Sequence, residues 1–146
     1  PPAVLRDFRQ LAGIMIPECS EFGVPGADDE RIFADIVQSL GRDEATVKDA
    51  LAALRELAGG DFAALDGDSA QTVAMQFLGQ DSPMVRALGQ AVLQCYYRDD
   101  RVFRALGREP RTPFPRGHDV EPGDWSLLDQ QRGRPRMWRD LDGYGG

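Results

Sequence analysis

An all-α fold is what this 146-residue sequence predicts: a compact bundle of about five to six helices followed by a long, mostly irregular C-terminal tail. Three observations carry that expectation. Apolar residues recur at spacings of three and four in segment after segment, the period of one helix face. Asp, Ser, Pro and Gly stand at the ends of those segments, where helices are capped or stopped. No run shows the period-two alternation of a half-buried strand.

Between Ala3 and Ile16 the residues Val4, Leu5, Phe8, Leu11, Ala12 and Met15 form one stripe, and Pro17 ends it. A connection with Gly23, Pro25 and Gly26 leads to Asp28, placed to cap a second helix whose stripe is Ile32, Phe33, Ile36, Val37 and Leu40, ending near Gly41. Asp43 is placed to cap a third, with Val47, Ala50, Leu51, Leu54 and Leu57 inward and Gly59-Gly60 as its stop. After a turn at Phe62 to Leu65, Asp68 and Gln71 make a loose capping-box pattern ahead of Val73, Ala74, Phe77 and Leu78. Ser82-Pro83 opens a fifth helix reaching about Tyr97, with Val85, Leu88, Val92 and Cys95 inward. Val102, Phe103 and Leu106 suggest a short further helix that ends at Gly107.

The domain organisation expected is therefore a helical domain over 1–107 and a tail over 108–146. Prolines 110, 113, 115, 122 and 135 punctuate the tail, and only Trp125 to Gln130 holds a hint of helix. A hydrophobic content of 42% is enough to close one core without metal or disulfide. No segment approaches the roughly 18 consecutive apolar residues of a membrane span.

The net charge of −7 lies on the first part: residues 1–107 hold 10 basic and 17 acidic groups, residues 108–146 hold 7 of each. An acidic body repels phosphate backbones, which argues against nucleic acid or anionic lipid as the main partner. The single lysine, Lys48, the 16 arginines and the absence of asparagine fit a GC-rich bacterial genome. The chain starts at Pro1, so its compartment stays open: periplasmic if an upstream signal was removed, otherwise cytoplasmic.

Motifs for chemistry are sparse. Cys19 and Cys95 form no CxxC or four-ligand pattern, which disfavours zinc, iron-sulfur and c-type haem sites. They are either a disulfide maintained in an oxidising compartment or two buried free thiols. His118 is the sole histidine and lies in a loop beside Asp119; as a lone histidine it fits a structural or surface role better than that of a general base. Asp28-Asp29-Glu30 and Asp99-Asp100 fall at helix ends, where solvated acids are ordinary. Asp66-Gly67-Asp68 lacks the alternating ligands and terminal Glu of a calcium loop, and no Gly-rich phosphate loop or GxSxG elbow is present. No catalytic, cofactor-binding or metal residue is expected on this chain.

What stands out is the tail's mixture of aromatics and arginines, the residue types most enriched at interface hot spots. Phe114, Arg116, His118, Trp125, Arg136, Trp138 and Tyr144 are the candidate partner-binding residues. The same aromatics would equally serve to pin the tail onto its own helices.

Two stretches resemble a known family. Leu11-Ala12-Gly13-Ile14-Met15-Ile16-Pro17, Gly23-Val24-Pro25-Gly26-Ala27 and the helix at Ile32-Phe33 are similar to the opening of the gluconate 2-dehydrogenase subunit 3 family. Tyr96-Tyr97-Arg98-Asp99-Asp100-Arg101-Val102-Phe103 through Gly107, with Pro113 to Gly117, resembles that family's closing segment. The resemblance implies a small helical subunit of a flavin-dependent dehydrogenase of the glucose-methanol-choline type. FAD and the catalytic residues would then reside in a large partner subunit, in some systems accompanied by a cytochrome c subunit, and the small subunit would aid maturation, stability or export. The alternative is a stand-alone helical binding or regulatory module whose tail closes over a small ligand or over a second copy of the chain in a homodimer. An enzyme using His118 with a carboxylate brought near by folding is a third reading. Substrate choice and electron acceptor would belong to the partner.

Overall fold

A computed structural model describes residues 2–112, 114–118 and 120–135. The described residues are all-α, with seven α-helices and three short 3-10 turns, and their only strand-like feature is an isolated antiparallel bridge between Cys19 and Val24. The chain divides into two units, Pro1–Pro110 and Arg111–Gly146.

The first unit contains six helices: α1 Pro2–Met15, α2 Glu30–Ser39, α3 Glu44–Leu57, α4 Gly67–Leu78, α5 Pro83–Arg98 and α6 Asp100–Ala105. α5 is the central element and packs against both α2 and α3, because its stripe Val85, Leu88, Val92, Cys95 and Tyr96 is buried along its whole length. α1 and α4 close over α3, and Phe8, Leu11, Ile32, Ile36, Leu51, Leu54, Phe77 and Leu88 fill the space between them. Phe62, on a 3-10 turn over Phe62–Ala64, enters the same core and is fully buried. Burying an aromatic of this size stabilises the fold by about 2 to 3 kcal/mol, so this short turn is held as firmly as a helix. Leu106, by contrast, is exposed beyond the end of α6.

Several caps lie one or two residues from where the pattern places them. Asp29, not Asp28, caps α2, accepting from the backbone N–H groups of Arg31 and Ile32. Asp28 is engaged elsewhere: its side chain lies against Gly13 and Gly26, and its carbonyl oxygen accepts from Arg9 Nε at 2.8 Å. Asp66, not Asp68, caps α4, accepting from Ser69 N at 3.0 Å and Ser69 Oγ at 2.9 Å. Asp43 and Ser82 occupy the cap positions of α3 and α5 without a side-chain bond to the helix. α3 is preceded by a 3-10 turn, Gly41–Asp43, so Asp43 is already helical and cannot turn its carboxylate onto the first turn.

In the second unit the described residues contain a 3-10 turn, Trp125–Leu128, running into a four-residue helix, α7 Asp129–Arg132. Asp124 caps it, accepting from Ser126 N at 3.0 Å and Ser126 Oγ at 2.6 Å.

Candidate functional site

The connection between α1 and α2 is the most constrained loop of the first unit. Cys19 and Val24 exchange backbone hydrogen bonds at 3.0 and 3.1 Å, and Ala27 N donates to Ile16 O at 2.8 Å. Gly23, at φ 62°, closes the reversal in the left-handed region. Tyr96, near the C-terminal end of α5, reaches this loop and donates from its hydroxyl to Pro25 O at 3.1 Å. Burial and the neighbouring Tyr97 push the Tyr96 phenol up, so it remains a neutral donor.

Beside that contact, one guanidinium joins two helix starts. Arg101 donates to Asp29 at 2.7 and 3.1 Å and to Asp99 at 3.0 and 3.1 Å. Asp29 caps α2, and Asp99 caps α6 through Arg101 N at 2.9 Å. Hydrogen bonds from Arg101 hold both carboxyls below the usual carboxylate range. Arg31 lies 3.9 Å from Asp99. One turn further along α2, Arg98 makes a two-pronged contact with Asp35 at 2.6 and 2.7 Å and a third bond to Ser39. Arg98 depresses the Asp35 carboxyl in the same way.

Arg31, Asp35, Arg98 and Asp99 border a cavity of about 440 Å³ between α2 and α5, with Cys95 at its inner wall. Burial pushes the Cys95 thiol up, so it is held as a neutral thiol and is a poor nucleophile. The cations and carboxylates are tied to one another, an arrangement suited to fastening helices rather than to moving a proton. Cys19, half-buried, and Cys95, buried, are both free thiols.

A second concavity has the opposite character. Leu5, Phe8, Val37, Leu40, Val47 and Leu51 line an apolar groove of about 600 Å³ between α1, α2 and α3. Lys48, paired to Glu44 at 2.6 Å, and Arg55, paired to Asp7, stand at its rim.

Of the candidate interface residues, Phe114, Arg116, His118 and Trp125 are exposed. Arg136, Trp138 and Tyr144 lie outside the described residues. Among the described residues, no group of three or more His, Cys, Asp or Glu side chains is placed to hold a metal ion, and no helix is long and apolar enough to cross a membrane.

Sequence reasoning missed Asp7. It is fully buried, accepts from Ala63 N at 2.7 Å and from Arg55, and thereby ties α1 to α3 and to the turn at Phe62. The signal was present: Asp7 stands three residues after Val4 and four before Leu11, on the helix face assigned to the core. Arg101 was legible only as one residue of the second resembling stretch, beside Asp99-Asp100. No family model, no curated protein and no solved structure matches this chain.

Proposed function

We propose that this chain is a non-catalytic small subunit of a flavin-dependent sugar or alcohol oxidoreductase of the glucose-methanol-choline type. FAD and the reacting groups belong to a large partner subunit, and a cytochrome c subunit completes the complex in systems that use one. The observation that carries this reading is the meeting of the two stretches in which the resemblance lies. Pro25 of the first and Tyr96 of the second bond across 71 residues of sequence, and Arg101 of the second bonds across 72 residues to Asp29, which lies between the motifs of the first. Residues that share one structural junction are constrained together, so their joint resemblance carries more weight than two unrelated short matches.

The test is to produce the flavoprotein encoded beside this chain with and without it. Flavin content, solubility and dehydrogenase turnover of the large subunit should all fall when the small chain is omitted. A large subunit that is equally soluble, flavin-loaded and active alone removes the proposal.

The apolar groove between α1, α2 and α3 favours a second reading, a stand-alone helical binding or regulatory module. Sedimentation of the isolated chain separates the two: a stable homodimer that is lost on truncation at residue 110 supports the module, and a monomer supports the subunit.

A further inference from the structure

Charge in the C-terminal unit is segregated. Arg111 and Arg116 make 111–118 basic, and Arg132 and Arg134 make 130–135 basic, whereas 120–129 hold Glu121, Asp124 and Asp129 and no basic residue. The exposed large apolar side chains concentrate in that acidic stretch. Val120 is 82% exposed, Trp125 65%, Leu127 77% and Leu128 44%. Four such residues within ten positions are more than scattered surface hydrophobics and mark an interaction surface. Trp125, Leu127 and Leu128 stand on a turn already shaped, with Asp124 capping its start through Ser126 and Arg132 donating to Asp129 at 2.9 Å near its end. A segment shaped in advance loses less entropy on docking.

We propose that residues 120–129 are a docking segment, and that they insert Trp125 and Leu127 into an apolar groove bordered by Lys or Arg side chains on the large flavoprotein subunit. The inference rests on the small-subunit reading and adds which part of the chain makes the contact and what chemistry receives it. Charge decides the kind of surface. Glu121 and Asp124 flank the turn on its N-terminal side, and the hydrogen bonds from Ser126 keep the Asp124 carboxyl ionised well below neutral pH. Carboxylates beside an apolar anchor select a groove with a cationic rim and are repelled from an anionic one. A second copy of this chain meets that description poorly. Its first 107 residues carry 17 acidic against 10 basic groups, and the two cations at its own groove, Lys48 and Arg55, are already paired with Glu44 and Asp7.

The test measures binding of the full chain to the flavoprotein subunit at low and high salt, for the natural sequence, for the double substitution Trp125→Ala/Leu127→Ala and for Glu121→Arg. The double substitution should weaken binding by about tenfold or more, as expected for a central aromatic anchor and its neighbour. Glu121→Arg should weaken binding at low salt and flatten its salt dependence. Circular dichroism should be the same for all three, since none of these side chains belongs to the hydrophobic core. Unchanged affinity for the double variant overturns the docking segment and leaves the small-subunit reading standing. No binding by the natural chain overturns both. A homodimer that dissociates on Trp125→Ala/Leu127→Ala makes a second copy the occupant and overturns the assignment to the flavoprotein.

Discussion

Asp7 sits on the face of α1 that the helical period assigns to the core, and its carboxylate is completely enclosed. Such a group is tolerated because Arg55 neutralises it and Ala63 N supplies a second bond. Asp7→Ala leaves Arg55, itself about a third exposed, to be solvated by water but strips the Ala63 amide and opens a polar void. A loss of about 2 to 4 kcal/mol is expected, read as a lower urea midpoint. Arg101 tests a different environment, since its side chain is 38% exposed while that of Asp99 is 5% exposed. Solvent screening reduces the worth of its bonds, so Arg101→Ala should cost about 1 to 2 kcal/mol at neutral pH. The carboxyls of Asp29 and Asp99, to which Arg101 donates, are depressed in the folded state, so their stabilisation is complete above the unfolded value, about 3.9, and is lost as pH falls through the folded ones. The gap between natural chain and Arg101→Ala should therefore shrink steadily below about pH 4 in a pH series of urea titrations. A gap independent of pH would refute the ionic account.

At the scale of elements, the connection from Ile16 to Asp29 shows how a loop becomes as well determined as a helix. Gly26 is packed so closely that an added Cβ would stand 2.9 Å from the backbone nitrogen of Glu18 and would also collide with the Asp28 carboxylate. Backbone cannot move aside as the end of a long side chain can. Gly26→Ala should destabilise by about 1 to 3 kcal/mol, with thermal unfolding as the measurement. Gly23→Ala fails for another reason: its surroundings are open, but φ 62° disfavours any Cβ. The helices themselves were legible in the sequence because each carries a stripe of the right period, and Phe8, Ile32, Leu51, Phe77 and Leu88 are buried as that period requires. Cap positions were less legible. Neighbouring aspartates such as Asp28 and Asp29, or Asp66 and Asp68, have the same local propensity, and the cap is whichever stands at the last non-helical residue before the helix, Asp29 at ψ 139° and Asp66 at ψ 164°.

Among the described residues, the hydrophobic core is made of residues between Phe8 and Val102, so the helical unit has what it needs to fold by itself. Removing residues 111–146 should leave the far-UV circular dichroism of the helices intact and shift the thermal midpoint by no more than about 4 °C, the equivalent of less than 1 kcal/mol for a domain of this size. A midpoint that drops much further, or a truncated chain that is insoluble, would mean that the C-terminal unit completes the fold rather than serving a partner.

The all-α class, the order of the helices and most of the buried stripe were determined by the sequence alone, because periodicity and stop residues act within one or two turns of chain. The ionic junctions between distant residues were decided only in the tertiary structure. Asp7 with Arg55 joins residues 48 apart, and Asp29 with Arg101 joins residues 72 apart. A charge in a sequence is by default a solvated one; whether it is buried against a particular partner depends on which helices cross beside it, and that is set by the packing of the core.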